Sequence, residues 1–217
     1  MLALKMGATA LESDVWISSD GYIVMDHDGV VRKWRKTVKI RDVRRSDLPS
    51  HIPSLLEFYQ HCGTNFDLSL DVKDAKAAAE VVNVSRKFDP AILRRLWLCH
   101  PDWRVVAGWR SLSDEIKLVD STRIKHVKEG FEHRLVSLVE ARTDAVNMHH
   151  TDWTASYVEM VHAKGLLAMA WDLQRPADLK RLLEMNVDAI FSDHVDRMKQ
   201  SVDDHVKRLK SQDSEGN

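Results

Sequence analysis

The strongest constraint on the fold is a regular alternation of short apolar segments with longer amphipathic segments along the 217-residue chain. The short segments alternate with period two or are continuously apolar, whereas the longer ones carry apolar residues at helical spacing. We predict seven strands, centred near residues 11, 68, 97, 117, 146, 168 and 190. The main predicted helices are Ala75–Lys87, Asp102–Glu115, Val127–Arg142, Asp152–Lys164, Pro176–Asn186 and Val195–Leu209. Strands separated by such helices indicate βα units and a parallel sheet.

Seven βα units fit a (β/α)₈ barrel that lacks one unit better than they fit a doubly wound sheet. The doubly wound sheet is the structural alternative, but the chain has no glycine-rich phosphate loop to support it. Tyr22–Met25 follows the turn Ser19-Asp20-Gly21, which predicts a side hairpin. Because we find no internal repeat and no linker rich in Pro, Gly or Ser, we expect one barrel domain over residues 1–210 and a disordered tail over 211–217.

The composition excludes several classes of protein. With 32 Lys and Arg against 33 Asp and Glu, the net charge is −1, which argues against a general nucleic-acid binder. No apolar run approaches the ~20 residues that span a bilayer, so we expect no stable membrane insertion. The opening residues lack the pattern of a signal peptide. Cys62 and Cys99 are too few for a disulfide framework, so we expect a reducing, cytoplasmic compartment.

Residues that could carry chemistry fall at predicted strand ends, which form the active face of a (β/α)₈ barrel. Glu12 and Asp14 are two positions apart, so on a strand both carboxylates point to one side, as a hard divalent cation requires. Asp71 and Lys73 repeat that spacing, and a lysine can supply a point charge for a phosphate. His27, within an Asp-His-Asp motif, has the chemistry of a general acid or base.

Each of these motifs alone also has a non-functional interpretation. Glu-x-Asp pairs are common at solvated strand ends, Asp-Val-Lys can be a surface ion pair, and the histidine of Asp-His-Asp can be satisfied by its own neighbours. Their order is more specific. The order begins with a Glu-x-Asp strand, which is followed by an Asp-Gly turn, an apolar strand and a His-Asp pair. An Asp-x-Lys motif comes about forty residues later.

In this order the sequence resembles the glycerophosphodiester phosphodiesterase family. The segment GATALESDVWISSDGYIVMDHD is similar to the family signature, in which a Glu-x-Asp strand leads through an Asp-Gly turn to His-Asp. The segments at Ile52–Glu57, Leu68–Lys73, Ala170-Trp171 and 187–193 resemble later family motifs. The resemblance runs from Ala3 to about Arg197 and is weakest from Ala75 to Glu140.

The resemblance implies a TIM barrel that hydrolyses glycerophosphodiesters to sn-glycerol 3-phosphate and an alcohol, using Mg²⁺ or Ca²⁺. The roles that it implies are metal ligands at Glu12, Asp14 and Asp71, an acid/base histidine at His27, a phosphate contact at Lys73, and a substrate-lining wall at Trp171.

Two departures from the family pattern matter. Asp71 stands where the family usually has Glu, which shortens that ligand by one methylene. The family also begins with a strand that ends in His-Arg-Gly, and nothing before Glu12 provides it. We therefore expect a truncated barrel without its first strand and much of its first helix, nearly inactive, and poorly soluble or dimeric through the open strand edge.

Two alternative functions stay open at this point. One is a non-catalytic barrel that serves as a binding or structural protein, and the other is a lysophospholipase D-like relative with an apolar trough beside the site.

Some charged and aromatic residues fall outside the family motifs. Eight basic residues crowd positions 32–45, for which a solvated rim is the favoured interpretation and an anion funnel the alternative. His149-His150 and His100 follow predicted strands and are weaker candidates for the pocket. The tryptophans at 97, 103, 109 and 153 are interpreted as packing residues.

Overall fold

The computed structural model describes residues 2–33 and 36–215 of the chain. They divide into two compact units, one within residues 10–119 and the other made of residues 2–9 together with residues 120–215. Arg35, part of the basic segment, lies outside the described residues. None of the described helices is long and apolar enough to cross a membrane.

The strands confirm the predicted alternation. They are β1 (Ala10–Ile17), β2 (Ile23–Met25), β3 (Val30–Lys33), β4 (Lys36–Lys39), β5 (Asp67–Val72), β6 (Leu96–His100), β7 (Lys117–Thr122), β8 (Ala145–His149), β9 (Leu167–Trp171) and β10 (Ala189–Ile190). All seven predicted strand centres fall in or directly beside one of them. The division between the two units falls within β7.

The helices match the predicted periodicity, but several ends differ. They are α1 (Leu2–Lys5), α2 (Leu55–Cys62), α3 (Ala77–Phe88), α4 (Trp103–Trp109), α5 (Phe131–Glu140), α6 (Ala155–Ala163), α7 (Pro176–Glu184) and α8 (Val195–Glu215). Helix α5 begins four residues later than predicted because Gly130 before it has a φ of 88°. Helix α8 continues past the predicted end at Leu209, so the expected tail is helical as far as Glu215, and residues 216–217 lie outside the described residues.

In the Ala10–Val119 unit, β1 pairs in parallel with β5, β5 pairs in parallel with β6, and β2 returns antiparallel along β1. The side hairpin predicted at Tyr22–Met25 is therefore confirmed. A separate antiparallel pair, β3 and β4, holds much of the basic segment. It packs through Val31 and Val38 onto an apolar cluster that includes Ile40 and Val43, so the segment is a folded lobe with exposed cations.

In the second unit, β8, β9 and β10 form consecutive parallel pairs. The register makes His149 the neighbour of Trp171, where β8 and β9 both end. Trp153 is buried, as predicted for a packing residue, and its indole N–H donates to the carbonyl of Met169 at 2.9 Å. This pairing brings polar residues that are distant in sequence to one end of the strands.

Candidate active site

The pairing of β1 with β5 brings the predicted carboxylates to one face. Asp14 and Asp71 are register partners, and Glu12 lies opposite Ser69 one step earlier on that face. The Glu12 residue is exposed, whereas the side chains of Asp14 and Asp71 are 13% and 29% exposed. Carboxylate oxygens on one face are a donor set that fits a hard divalent cation.

Lys73 lies between two of these carboxylates. Its Nζ is 2.8 Å from Asp14 Oδ1 and 2.8 Å from Asp71 Oδ2. Burial alone would lower the pKa of Lys73, but the hydrogen bonds to Asp14 and Asp71 outweigh it and raise that pKa. The ammonium therefore stays charged, and the two carboxylates are already arranged around one cation.

His27 sits in a tight turn that is tied to β1. The Asp26 amide donates to the Asp14 carbonyl at 3.2 Å, and Asp26 Oδ2 accepts the Gly29 amide at 2.7 Å. The indole N–H of Trp16 donates to the Asp26 carbonyl at 2.8 Å. These contacts fix the backbone on both sides of His27 and connect it to the strand that carries Asp14.

The His27 side chain is 90% exposed, and its Nδ1 lies 2.9 Å from Asp28 Oδ1. The hydrogen bond to Asp28 and the negative charge of Asp14 raise the pKa of His27. Nε2 is then the ring nitrogen left for other contacts. The local pairing with Asp28 agrees with the non-functional interpretation of the motif, but it also favours the protonated imidazolium that a general acid needs.

Cys99 lies near the carboxylates without being a reactive thiol. Its side chain is buried, and its Sγ contacts Ser69 Oγ at 3.3 Å. Burial and the nearby charge of Asp71 raise the pKa of the Cys99 thiol well above its usual value. A thiol that stays protonated is a poor nucleophile, so Cys99 is not a candidate for nucleophilic chemistry.

Trp171 lies in a different group of side chains, in the second unit. The ring of His149 meets the Trp171 ring edge to face, with centroids 4.6 Å apart. The Arg123 guanidinium lies 5.7 Å from the centre of the Trp171 ring and forms a two-point ion pair with Asp152 at 2.6 and 3.2 Å. Trp171 therefore presents an aromatic surface with a cation beside it.

His149 and His150 come together with Asp172, which the sequence analysis did not single out. Among the described residues they form the one group of three His, Cys, Asp or Glu side chains whose donor atoms lie within 4.8 Å of one another. Asp172 and Arg123 each directly follow a strand, and that position was the signal that could have revealed them. His100, by contrast, accepts the Asp102 amide at 3.0 Å and packs on Trp109, so its contacts are structural.

Comparisons with known proteins identify a family for the chain. A model of the glycerophosphoryl diester phosphodiesterase family matches residues 1–197. A curated relative, a glycerophosphodiester phosphodiesterase of Caldanaerobacter subterraneus subsp. tengcongensis, is 22% identical in an alignment of 217 positions that covers 88% of this chain and 84% of the relative.

Solved structures give the same result at the level of the fold. A glycerophosphodiester phosphodiesterase of Thermotoga maritima is 22% identical with a TM-score of 0.76, over 92% of this chain and 88% of that one. An Oleispira antarctica phosphodiesterase, solved with the product sn-glycerol-3-phosphate, is 19% identical with a TM-score of 0.73, over 93% of this chain and 89% of that one. These likenesses confirm the predicted α/β fold class of the TIM-barrel type.

Proposed function

Because the chain belongs to the glycerophosphoryl diester phosphodiesterase family, we propose that it hydrolyses glycerophosphodiesters to sn-glycerol 3-phosphate and an alcohol with the help of Mg²⁺ or Ca²⁺. The observation that carries the proposal is that the Asp14 and Asp71 carboxylates both contact the Lys73 ammonium. A backbone hydrogen bond from Asp26 to Asp14 connects these carboxylates to the turn that holds His27. The Oleispira relative, which binds sn-glycerol-3-phosphate, supports the choice of product.

Glu12, Asp14 and Asp71 would hold the divalent cation. When bound, such an ion polarises a phosphoryl oxygen and neutralises charge that develops on the phosphate. In the metal-free chain Lys73 supplies one positive charge to the two carboxylates of Asp14 and Asp71. With these carboxylates engaged as ligands, the Lys73 ammonium would contact a phosphate oxygen, the role that the family resemblance gives to it.

His27 would transfer the proton that the leaving alcohol requires. Water adds its oxygen to phosphorus, and the bond from phosphorus to the alcohol oxygen breaks. The Nε2 proton of His27 passes to that alcohol oxygen, and the phosphate product then gives up one proton of the added water, which restores protonated His27 directly or through solvent. The hydrogen bond to Asp28 raises the pKa of His27 and so favours the form of the ring that carries this proton. Trp171 and Arg123 form an aromatic and cationic surface in the second unit, and the resemblance assigns substrate contact to Trp171.

The test is release of glycerol 3-phosphate from glycerophosphocholine, with Mg²⁺ or Ca²⁺ present or removed by EDTA. We expect EDTA to abolish turnover, and His27→Ala to lower it by about 10²- to 10⁴-fold, the range for a lost general acid or base. His51→Ala is the matched control because His51 is an exposed histidine in the same unit.

Three outcomes would contradict the proposal. Turnover of His27→Ala within a few-fold of the parent chain would remove His27 from the mechanism. Full activity in EDTA would show that turnover does not need a divalent cation. A parent chain that binds Mg²⁺ and Ca²⁺ but releases no glycerol 3-phosphate would favour a non-catalytic role.

A further inference from the structure

The second unit contains three neighbouring side chains of the types that bind metal ions. We propose that His149, His150 and Asp172 bind a divalent transition metal ion of the Zn²⁺ type. Each residue offers one donor atom, and the three atoms lie within 4.8 Å of one another where β8 and β9 end. Two imidazoles and one carboxylate are a usual ligand set for zinc and its neighbours, whereas Mg²⁺ and Ca²⁺ prefer oxygen alone.

His149 is oriented by contacts at both ring nitrogens. Its Nδ1 accepts the Thr151 backbone amide at 3.2 Å and lies 2.7 Å from Thr151 Oγ1, and its Nε2 lies 3.0 Å from Asp172 Oδ2. Because Nδ1 accepts the Thr151 amide, Nε2 carries the ring proton in the metal-free chain and donates it to the Asp172 carboxylate. A metal ion at Nε2 would take the place of that proton, and the ring would then carry its proton on Nδ1, toward Thr151 Oγ1.

Asp172 is held in an unusual backbone conformation. Its φ is 64°, and the other described non-glycine residues with positive φ, Arg142 and Asn186, closely follow the ends of α5 and α7, where left-handed residues are common. Asp172 instead follows a strand, so its strain is not explained by a helix cap. Gln174 donates to Asp172 Oδ1 at 3.2 Å and to Asp193 Oδ2 at 2.8 Å, which steadies the carboxylate beside His149.

His150 supplies the third donor from a buried position. The residue is 7% exposed, and among the described residues its Nδ1 has no hydrogen-bond partner; Asp178 Oδ1 lies 3.6 Å away. The rings of His149 and His150 are 4.5 Å apart and inclined by 34°.

The surrounding charges are of both signs. Arg123 pairs with Asp152 at 2.6 Å and Arg175 with Asp178 at 2.8 Å. Arg181 donates to the His150 carbonyl at 2.7 Å and so places a positive charge beside that residue, opposite the carboxylates of Asp172 and Asp178. The Asp172 side chain is 46% exposed, so an ion can enter from solvent. Three protein ligands would leave a coordination position open for water or a small anion.

The experiment measures binding directly, in the full chain stripped of metal with EDTA. One equivalent of Zn²⁺ should raise the midpoint of thermal unfolding, because an ion that binds only the folded state stabilises it. Co²⁺ should give visible absorption from a nitrogen- and oxygen-ligated site. His149→Ala and Asp172→Asn should each weaken Zn²⁺ binding at least about 10-fold. Asn tolerates the left-handed conformation at position 172, so that variant keeps its backbone.

Two controls separate this site from other ways of binding zinc. His162→Ala breaks a second His–Asp pair of the same unit, in which Nε2 lies 2.8 Å from Asp188 Oδ2 without belonging to a described three-donor group. Asp71→Asn removes a carboxylate of the proposed active site. Both should bind Zn²⁺ as the parent does, and excess Mg²⁺ should not displace it. If His149→Ala and Asp172→Asn bind Zn²⁺ as the parent does, the proposal is overturned, and His149 and Asp172 share only a proton in their hydrogen bond. Equal loss in either control would also overturn it.

Discussion

At the residue scale, the position of His27 depends on one glycine and one tryptophan. Gly29 has a φ of 67°, and a Cβ built on it would lie 2.3 Å from the Trp16 ring. The same ring donates its N–H to the Asp26 carbonyl, and the Gly29 amide binds the Asp26 side chain. The Trp16 ring therefore packs so closely against position 29 that only a glycine fits there, and the turn that carries His27 packs against this ring.

We expect Gly29→Ala to lower the free energy of unfolding by about 2–4 kcal/mol, because left-handed strain and steric overlap both oppose the methyl group. Urea unfolding at constant m-value measures the change. Gly21→Ala is the matched control, since Gly21 also has a positive φ, 87°, but has no atom within 4 Å of a built Cβ. Equal costs at the two positions would show that contact with Trp16 does not shape the turn.

At the element scale, α2 begins with a reciprocal cap. Ser54 Oγ accepts the Glu57 amide at 3.2 Å, and Glu57 Oε2 accepts the Ser54 amide at 2.7 Å. Arg45, from the basic lobe, donates to that carboxylate oxygen at 2.7 Å. The Ser54 amide, followed by Arg45, lowers the pKa of Glu57 to about 2. The cap therefore joins the start of α2 to the lobe that precedes it.

A depressed pKa in the folded state makes the cap sensitive to acid. The contribution of Glu57 is fully present above its unfolded pKa near 4.5 and is lost as the pH falls toward about 2. We expect Glu57→Ala to cost about 1 kcal/mol at neutral pH, and the difference from the parent to shrink as unfolding is measured at increasingly acidic pH. Glu132→Ala, in the first turn of α5, is the control because Gly130 provides no side-chain cap there. A difference that does not change with pH would contradict the assignment.

The elements that the sequence predicted are those whose signal is local. Period-two runs such as Leu68–Val72 indicate strands, and the i, i+2 spacing of Glu12 and Asp14 puts both carboxylates on one face. The β3–β4 pair was missed because the buried Val31 and half-buried Val38 are surrounded by basic residues that conceal the alternation.

The unpredicted contacts of the candidate sites are those that depend on strand register. The contact of His149 with Asp172 joins residues 23 apart and requires the β8–β9 pairing together with a left-handed residue. Lys73 reaches Asp14 only because β1 and β5 pair in parallel with Asp14 opposite Asp71. Neither pairing register is encoded in the spacing of the residues themselves.

At the scale of the whole molecule, a near-zero net charge conceals an uneven distribution. Eight of the 32 basic residues fall between positions 32 and 45, so the remaining sequence carries an excess of acid. Within the described part of the lobe, Arg32, Lys36, Lys39 and Arg41 are exposed. The isoelectric point is about 6.8, so near neutral pH little net repulsion keeps separate chains apart.

We therefore expect the chain to associate with itself near pH 6.8 through its basic lobe and the acidic surface of another copy. Because salt screens exposed charges beyond a Debye length of about 10 Å at 0.1 M, sedimentation velocity should show dissociation as NaCl is raised. The double variant Lys36→Glu with Lys39→Glu should abolish the association. The double variant Lys207→Glu with Lys210→Glu makes an equal charge change on α8 and should retain a larger associated fraction. Association that is insensitive to salt and to the lobe variants would contradict this account, and would favour pairing through an exposed strand edge, where backbone hydrogen bonds rather than charges hold the copies together.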